Sequence, residues 1–552
     1  MAEKKLKEKT GLKFDLKNVL KEPPLLISLL ILTLMFIVFT IYPFAKVLSI
    51  PDKAEWIRVF TEKEFLSYFG NTMFSSLLST TSAIIIGFIY AYAMNYTDIP
   101  GKKFFRVIAL VPIMAPSVIT GLAFIMLFGR RGFITFHLLH LRVDLYGWIG
   151  LWIVQTIAFF PLAYMTISGV LKSISPNLEL AAQNLGARGF TLFRTVTLKL
   201  ATPGVLSAFL LVAINSFADF GNPKLVAGNY RVLATEAYAQ VTGNWDMGVA
   251  AVLSVMLVIP TLVVFLLQKY HLDRKSFVTV TGKPVAGLKR DAVSPIVKWI
   301  LFAICSIMAF IIILIFAVII GYAVTKNFGI NNNFTLYNIK QGILNSDSIK
   351  NSWILAIVTA VITTVLGLVI AFVVSRKKFP GKGVMDFLAM LPVSLPGTFI
   401  GLALILAFNK PPLSLTGTGA IIVIGMCLRQ LPVGYRNAIS GFKQIDKSIE
   451  EASTNLGANS IVTFRRVVIP MLKNAFSTSF VYNFMKSMNT LSTVIFLVSP
   501  QWLLASVEIL NLSDHGFYGV ASATALGMIS TILFTFGIVK LILGNKINIF
   551  EL

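Results

Sequence analysis

The sequence predicts an all-α polytopic membrane protein of about twelve transmembrane helices, arranged as two tandem six-helix repeats, and three observations carry that prediction. Of 552 residues, 56% are hydrophobic and 13% charged, against roughly 25% charged in an average soluble domain. Apolar runs of about 20 residues, the length that crosses a bilayer, recur along the whole chain. The second half repeats the first at a nearly constant offset. A water-soluble globular protein is excluded, and little length remains for a large soluble domain.

The runs lie near 24–48, 70–96, 104–129, 147–170, 201–220, 247–268, 296–322, 350–375, 384–408, 417–437, 470–498 and 517–543. Pro161, Asp219, Arg429 and Arg436 interrupt or border three of them. A charged stretch precedes the first run and no small-residue cleavage signal follows it, so the first span is expected to be retained. Cys305 and Cys427 sit in apolar runs without a CxxC or Cys/His cluster, which excludes a disulfide framework and assigns both to packing.

Lys and Arg favour cytoplasmic loops. They crowd the N-terminal segment from Lys4 to Lys21, the loop with Lys102, Lys103 and Arg106, the stretch from Lys269 to Lys298, and the loop from Arg376 to Lys382. The segment 499–516 instead holds Glu508 and Asp514 and no Lys or Arg. Both termini and the central linker are therefore expected on the cytoplasmic face of a cell membrane, with Arg130, Arg131 and Arg142 as an exception in an external loop. The formal +24 then reflects orientation and attraction to anionic lipid headgroups, not a nucleic-acid partner.

The repeat emerges at an offset of 280, where Asn71 meets Asn351, Pro100-Gly101-Lys102 meets Pro380-Gly381-Lys382, and Pro112 and Pro116 meet Pro392 and Pro396. The offset then drops to 271, where Pro161 meets Pro432, Asn184-Leu185-Gly186-Ala187 meets Asn455-Leu456-Gly457-Ala458, and Phe193 meets Phe464. The expected organisation is a cytoplasmic N-terminal segment 1–23, a first transmembrane domain 24–268, a cytoplasmic linker 269–296 and a second transmembrane domain 297–552. An even span count gives both copies one orientation, hence a pseudo-twofold axis along the membrane normal and a translocation path at the interface between them.

The most informative segments are 173–204 and 445–470, both between the fourth and fifth spans of their half. Ser175 and Asp446 are suitable N-caps, and Pro176 suits the first helical position. Leu178, Ala181, Ala182 and Leu185 in one copy, and Ile449, Ala452, Ser453 and Leu456 in the other, form a narrow stripe at helical spacing. Gly186 and Gly457 follow as a left-handed stop requires. A small-residue stripe on a short exposed helix lets another protein approach closely; packing back onto the membrane domain is the alternative reading.

These residues give the chain its resemblance to the membrane permease subunits of ATP-binding-cassette importers. The resemblance rests on Glu451-Ala452-Ser453 with Gly457-Ala458, Phe464, Val467 and Pro470, and on the weaker Ala181-Ala182 with Gly186-Ala187, Phe193 and Val196. It implies that both loops dock on ATPase subunits, through Glu179, Ala181, Ala182, Gly186 and Ala187 in the first and Glu451, Ala452, Gly457 and Ala458 in the second. It further implies two copies of an ATPase subunit that binds the ATP, and an extracytoplasmic solute-binding protein. The first copy departs from the pattern: Leu180 stands where the motif has an acid, beside Glu179, and Lys199 replaces the proline. The fused double length and the segment Ala218-Asp219-Phe220-Gly221-Asn222-Pro223 resemble the ferric-iron branch, while phosphonate, thiamine, polyamine and sulfate permeases share the scaffold.

No G-x-x-x-x-G-K-[ST] phosphate loop occurs, so ATP is expected on a separate chain and no cofactor in this one. His137, His140, His271 and His515 are scattered without HExxH or a carboxylate cluster, and no metal or catalytic constellation is expected. Asn215, Asp219, Lys486 and Asn489, in the fifth span of each half, read either as a polar path or as interhelical hydrogen bonds with an Asp–Lys pair. The paired prolines read as kinks for packing or as hinges. A self-sufficient ion-coupled transporter is the rival class; it needs acidic residues at midplane, and it leaves the repeated loops unexplained.

Overall fold

A computed structural model describes residues 22–272 and 293–543. The N-terminal lysines Lys4 to Lys21 and the linker residues Arg274, Lys275, Lys283, Lys289 and Arg290 lie outside the described residues. The expected spans form helices α1 (Pro23–Ser49), α2 (Lys63–Tyr96), α3 (Ser117–Phe128), α4 (Trp148–Ser173), α5 (Leu198–Phe217), α6 (Met247–Leu267), α7 (Pro295–Val324), α8 (Asp347–Arg376), α9 (Gly397–Ala407), α10 (Gly419–Gln444), α11 (Lys473–Met488) and α12 (Tyr518–Leu543). Among the described residues nine helices are long and apolar enough to cross a bilayer, counting α3 with its continuation to Leu138, and a tenth if Lys382–Ser394 and α9 count as one bent span. The other two are α10, which carries Arg429, Arg436 and Lys443, and α11, with 16 residues.

Local chemistry sets the ends. Pro23 and Pro295 occupy first-turn positions, where a missing N–H costs nothing. Asp246 caps α6 by accepting from the Val249 amide at 2.9 Å. Pro470 ends a helical segment at Met471, and α11 restarts at Lys473, whereas Lys199 at the equivalent position leaves Gly189–Phe217 unbroken. A short antiparallel hairpin, β1 (Thr325–Asn327) and β2 (Asn331–Phe334), links α7 to the segment that leads into α8. Of the three arginines that break the orientation pattern, Arg130 is paired with Asp144 at 2.8 Å, which removes part of that loop's charge.

Glycines bring the helices into contact, and they do so alike in both repeats. A Cβ on Gly87 of α2 would lie 2.8 Å from Ala163 Cβ of α4, and one on Gly367 of α8 would lie 2.7 Å from the Gly434 carbonyl carbon of α10. These positions are 280 apart on one side of the contact and 271 on the other. Without the hydrophobic effect between helices in lipid, such close approach supplies the packing energy.

The chain divides into two compact units that do not coincide with the sequence repeats. Of the described residues, one comprises 52–272, 293–346 and 506–529, the other 22–51, 347–505 and 530–543. In the first, Leu301, Cys305, Met308 and Ile312 of α7 join a buried cluster with residues of α2, α4 and α5, such as Tyr90, Phe160 and Val212. In the second, Leu25, Leu32 and Phe36 of α1 join Leu368 and Val374 of α8 and Tyr435 of α10. The first unit thus takes α2 to α6 with α7 and residues 506–529 of the second repeat, and the other takes α1 with α8 to α11 and the remainder of α12.

Candidate coupling loops and polar path

The two short helices ahead of the fifth span of each repeat are Pro176–Asn184 and Lys447–Asn455. Asp446 caps the second by accepting from the Ser448 amide at 3.0 Å, a bond that holds its carboxyl below the usual range. Ser175 has the extended N-cap backbone, but its side chain makes no cap bond. At the other end Gly186 and Gly457 adopt φ of +90° and +87°. The Ala187 amide reaches back to Ala182 at 3.0 Å and the Gly186 amide to Gln183 at 2.9 Å; Ala458 and Gly457 repeat this on Ser453 and Thr454 at 3.1 and 2.9 Å. This is a Schellman closure, which only a residue at ease in the left-handed region completes cheaply.

The stripe faces outward. Leu178, Ala181 and Leu185 are exposed, as are Ile449, Ala452 and Leu456, while Ala182, Ala187, Ser453 and Ala458 are half-buried. Leu185 and Leu456 are 90% and 89% exposed. Packing against the chain's own membrane helices therefore does not account for the apolar positions. Glu451 is exposed as well. Glu179 is not: it is 3% exposed, and its Oε1 accepts from Tyr96 Oη at 2.9 Å and Thr197 Oγ1 at 2.8 Å. Phe193 packs on Tyr92 with ring centroids 5.3 Å apart, and Phe464 on Phe372 at 4.6 Å.

Asp219 follows the end of α5, is buried, and accepts from Gln155 Nε2 at 3.1 Å and Asn222 Nδ2 at 2.9 Å. Asn215 donates to the Leu211 carbonyl at 2.8 Å. Lys486 is half-buried with its Nζ over the Tyr482 ring at 5.8 Å, and Asn489 is half-buried just past α11. Asn215 and Asp219 belong to one compact unit, Lys486 and Asn489 to the other. Among the described residues no three His, Cys, Asp or Glu side chains gather as a metal site requires.

The paired prolines produce 3-10 turns at Val111–Met114 and Leu391–Ser394, and in the second repeat the helices on either side are bent by 110°. Such a break frees carbonyls that lipid cannot satisfy. Arg429 answers it, donating from Nη1 to the Leu395 carbonyl at 2.7 Å and the Pro392 carbonyl at 3.3 Å. Sequence reasoning flagged Arg429 without this role, and it missed the inward face of the loop helices; a polar residue at the C-terminal end of the second span in both copies, Tyr96 and Arg376, was the available signal.

Comparison with known proteins adds to this geometry. Residues 83–277 and 363–544 match the family described as binding-protein-dependent transport system inner membrane component. The chain is 34% identical to a ferric transport system permease protein of Actinobacillus pleuropneumoniae, over 85% of this chain and 70% of the relative. A Haemophilus influenzae protein named for the same transport system is also 34% identical, over 86% and 78%. A sulfate transport system permease protein of Salmonella typhimurium is 25% identical over 32% of this chain and 64% of its own length.

Proposed function

We propose that this chain, which belongs to the family of binding-protein-dependent transport system inner membrane components, forms the translocation path of an ATP-driven importer whose cargo is ferric iron. Membership makes it a multi-pass inner-membrane permease with two family segments in one polypeptide. The finer reading assigns each sequence repeat, 24–268 and 297–552, one wall of the path, places both termini in the cytoplasm, and leaves ATP hydrolysis to two copies of a separate ATPase subunit. An extracytoplasmic binding protein delivers the cargo, so no tight site or catalytic group is needed here.

The observation that carries this reading is the pair of short helices with outward-facing small and apolar residues, at matched positions in two repeats and stopped by the same left-handed glycine. ATP-driven closure of the partner subunits would move segments 175–200 and 446–469 and so alternate the path between its two openings. Asn215, Asp219, Lys486 and Asn489 are assigned to that path. The iron assignment rests on the two 34% relatives that span most of the chain. Co-purification with an ATPase subunit, lost when Gly186 and Gly457 are both replaced by Asp, together with ATP-dependent uptake of radioactive iron, tests the proposal. Uptake by the purified chain alone, driven by an ion gradient, overturns it.

A further inference from the structure

Each cytoplasmic loop is fastened to the second span of its own repeat at two places one helical turn apart. In the first repeat Phe193 packs on Tyr92, and Glu179 accepts from Tyr96. In the second, Phe464 packs on Phe372, and Glu450 pairs with Arg376, Oε1 to Nε at 2.6 Å. The anchor positions are equivalent: 92 and 96 lie 280 before 372 and 376, and 179 and 193 lie 271 before 450 and 464. The two copies keep one attachment geometry and fill its polar half with different chemistry.

The polar half is the directional one. Glu179 is 3% exposed, and the Glu450 and Arg376 side chains are 18% and 10% exposed. A carboxylate withdrawn from water is costly to strand, so a loop helix that shifts must carry the end of its second span along or break this contact. In the first repeat two hydroxyls, Tyr96 and Thr197, donate to Glu179. In the second, Val468 stands at the position of Thr197, and the partner is a guanidinium. Its Nη2 also donates to the Phe442 and Ile445 carbonyls at 3.1 and 2.9 Å, where α10 ends. Arg376 thereby ties α8, the end of α10 and the loop helix together.

We propose that Glu179 and Glu450 are positioning residues that transmit displacement of the loop helices to α2 and α8. The proposal rests on the coupling-loop reading above. It concerns the inward face of each helix, away from the surface that meets the ATPase.

The test uses the full chain reconstituted with its ATPase subunit and binding protein, read as ATP hydrolysed per iron imported. Glu450→Gln is expected to raise that ratio about tenfold, within the usual range of coupling energies, with ATPase co-purification retained. Glu179→Ala, which removes the acceptor of both hydroxyls, is expected to change it as strongly as Glu450→Gln. Arg376→Lys keeps the charge without the planar fork and is expected to fall between wild type and Glu450→Gln; it carries the comparison if Glu450→Gln fails to insert. Wild-type ratios in Glu450→Gln or, failing insertion, in Arg376→Lys overturn the proposal. Failure of the unmodified chain to co-purify with an ATPase overturns the coupling-loop reading instead.

Discussion

Replacing Gly457 by alanine isolates the backbone contribution of the second loop. Its φ is +87°, and a Cβ built there meets nothing within 4 Å, so no steric clash enters the cost. What remains is the left-handed conformation, which penalises an L side chain by roughly 1–2 kcal/mol. That energy lowers the population of the stopped helix by a factor of about 5–30, and the apparent affinity for a partner that recognises this shape falls by the same factor. The assay is a titration of the detergent-solubilised chain with its ATPase subunit, run beside a thermal unfolding measurement. An apparent Kd raised about 5–30-fold with an unchanged Tm is expected, and Gly457→Asn should lose less, since asparagine tolerates this region. Unaltered affinity, or a Tm that falls in step with it, would refute the reasoning, because the glycine would then serve nothing or serve the core. Gly186 has φ +90° and the same open surroundings. Its replacement should nevertheless cost less transport, as Leu180 and Lys199 stand where the second copy has Glu451 and Pro470; equal losses would remove the idea that the loops differ.

Arg429→Met should strand the Leu395 carbonyl, at about 1–3 kcal/mol for a buried group left unpaired, while the Pro392 carbonyl keeps the Leu395 amide at 3.3 Å; an unchanged Tm in detergent would sink that assignment. The Asp446 carboxyl is held low mainly by the Ser448 amide, so its stabilisation of the loop helix is present above the unfolded value, near pH 4, and is lost as pH falls through the lower folded value. Affinity for the ATPase measured down this range should decline in wild type and lose that component in Asp446→Asn. Asp219→Ala and Lys486→Ala are each expected to reduce iron uptake severalfold while the ATPase still binds, and normal uptake in both would remove these residues from the path.

Spans, repeat and loop helices were legible because each is written in local pattern. Twenty apolar residues demand a bilayer whatever surrounds them, and Leu178, Ala181, Ala182 and Leu185 mark one helix face by spacing alone. The opposite face was not legible. Glu179 looks like a surface residue until Tyr96 and Thr197, 83 and 18 positions away, provide donors that let a carboxylate sit inside. Arg429 likewise looks like a functional charge in a span until the carbonyls freed by paired prolines are found 34 and 37 positions before it. The composition of the compact units was hidden for the same reason, since no local signal says which bundle a uniformly apolar helix joins.

That composition imposes an order of events during biogenesis. The partners of α7 in α2, α4 and α5 precede it in the chain, so it can dock as soon as it enters the membrane. The partners of α1 lie in α8, α10 and beyond, and from Ser49 to Asp347 the ribosome must add 298 residues. At roughly 5–20 residues per second this takes roughly 15–60 s. Through that interval α1 stands in lipid without its final neighbours, which favours a helix whose every side is compatible with hydrocarbon. Between Pro23 and Ser49 Lys46 is the single charged residue, placed in the last turn. Helix α1 is thus made long before its neighbours and reaches its final packing late, and a chain halted before α8 would display it to the quality-control proteases of the membrane.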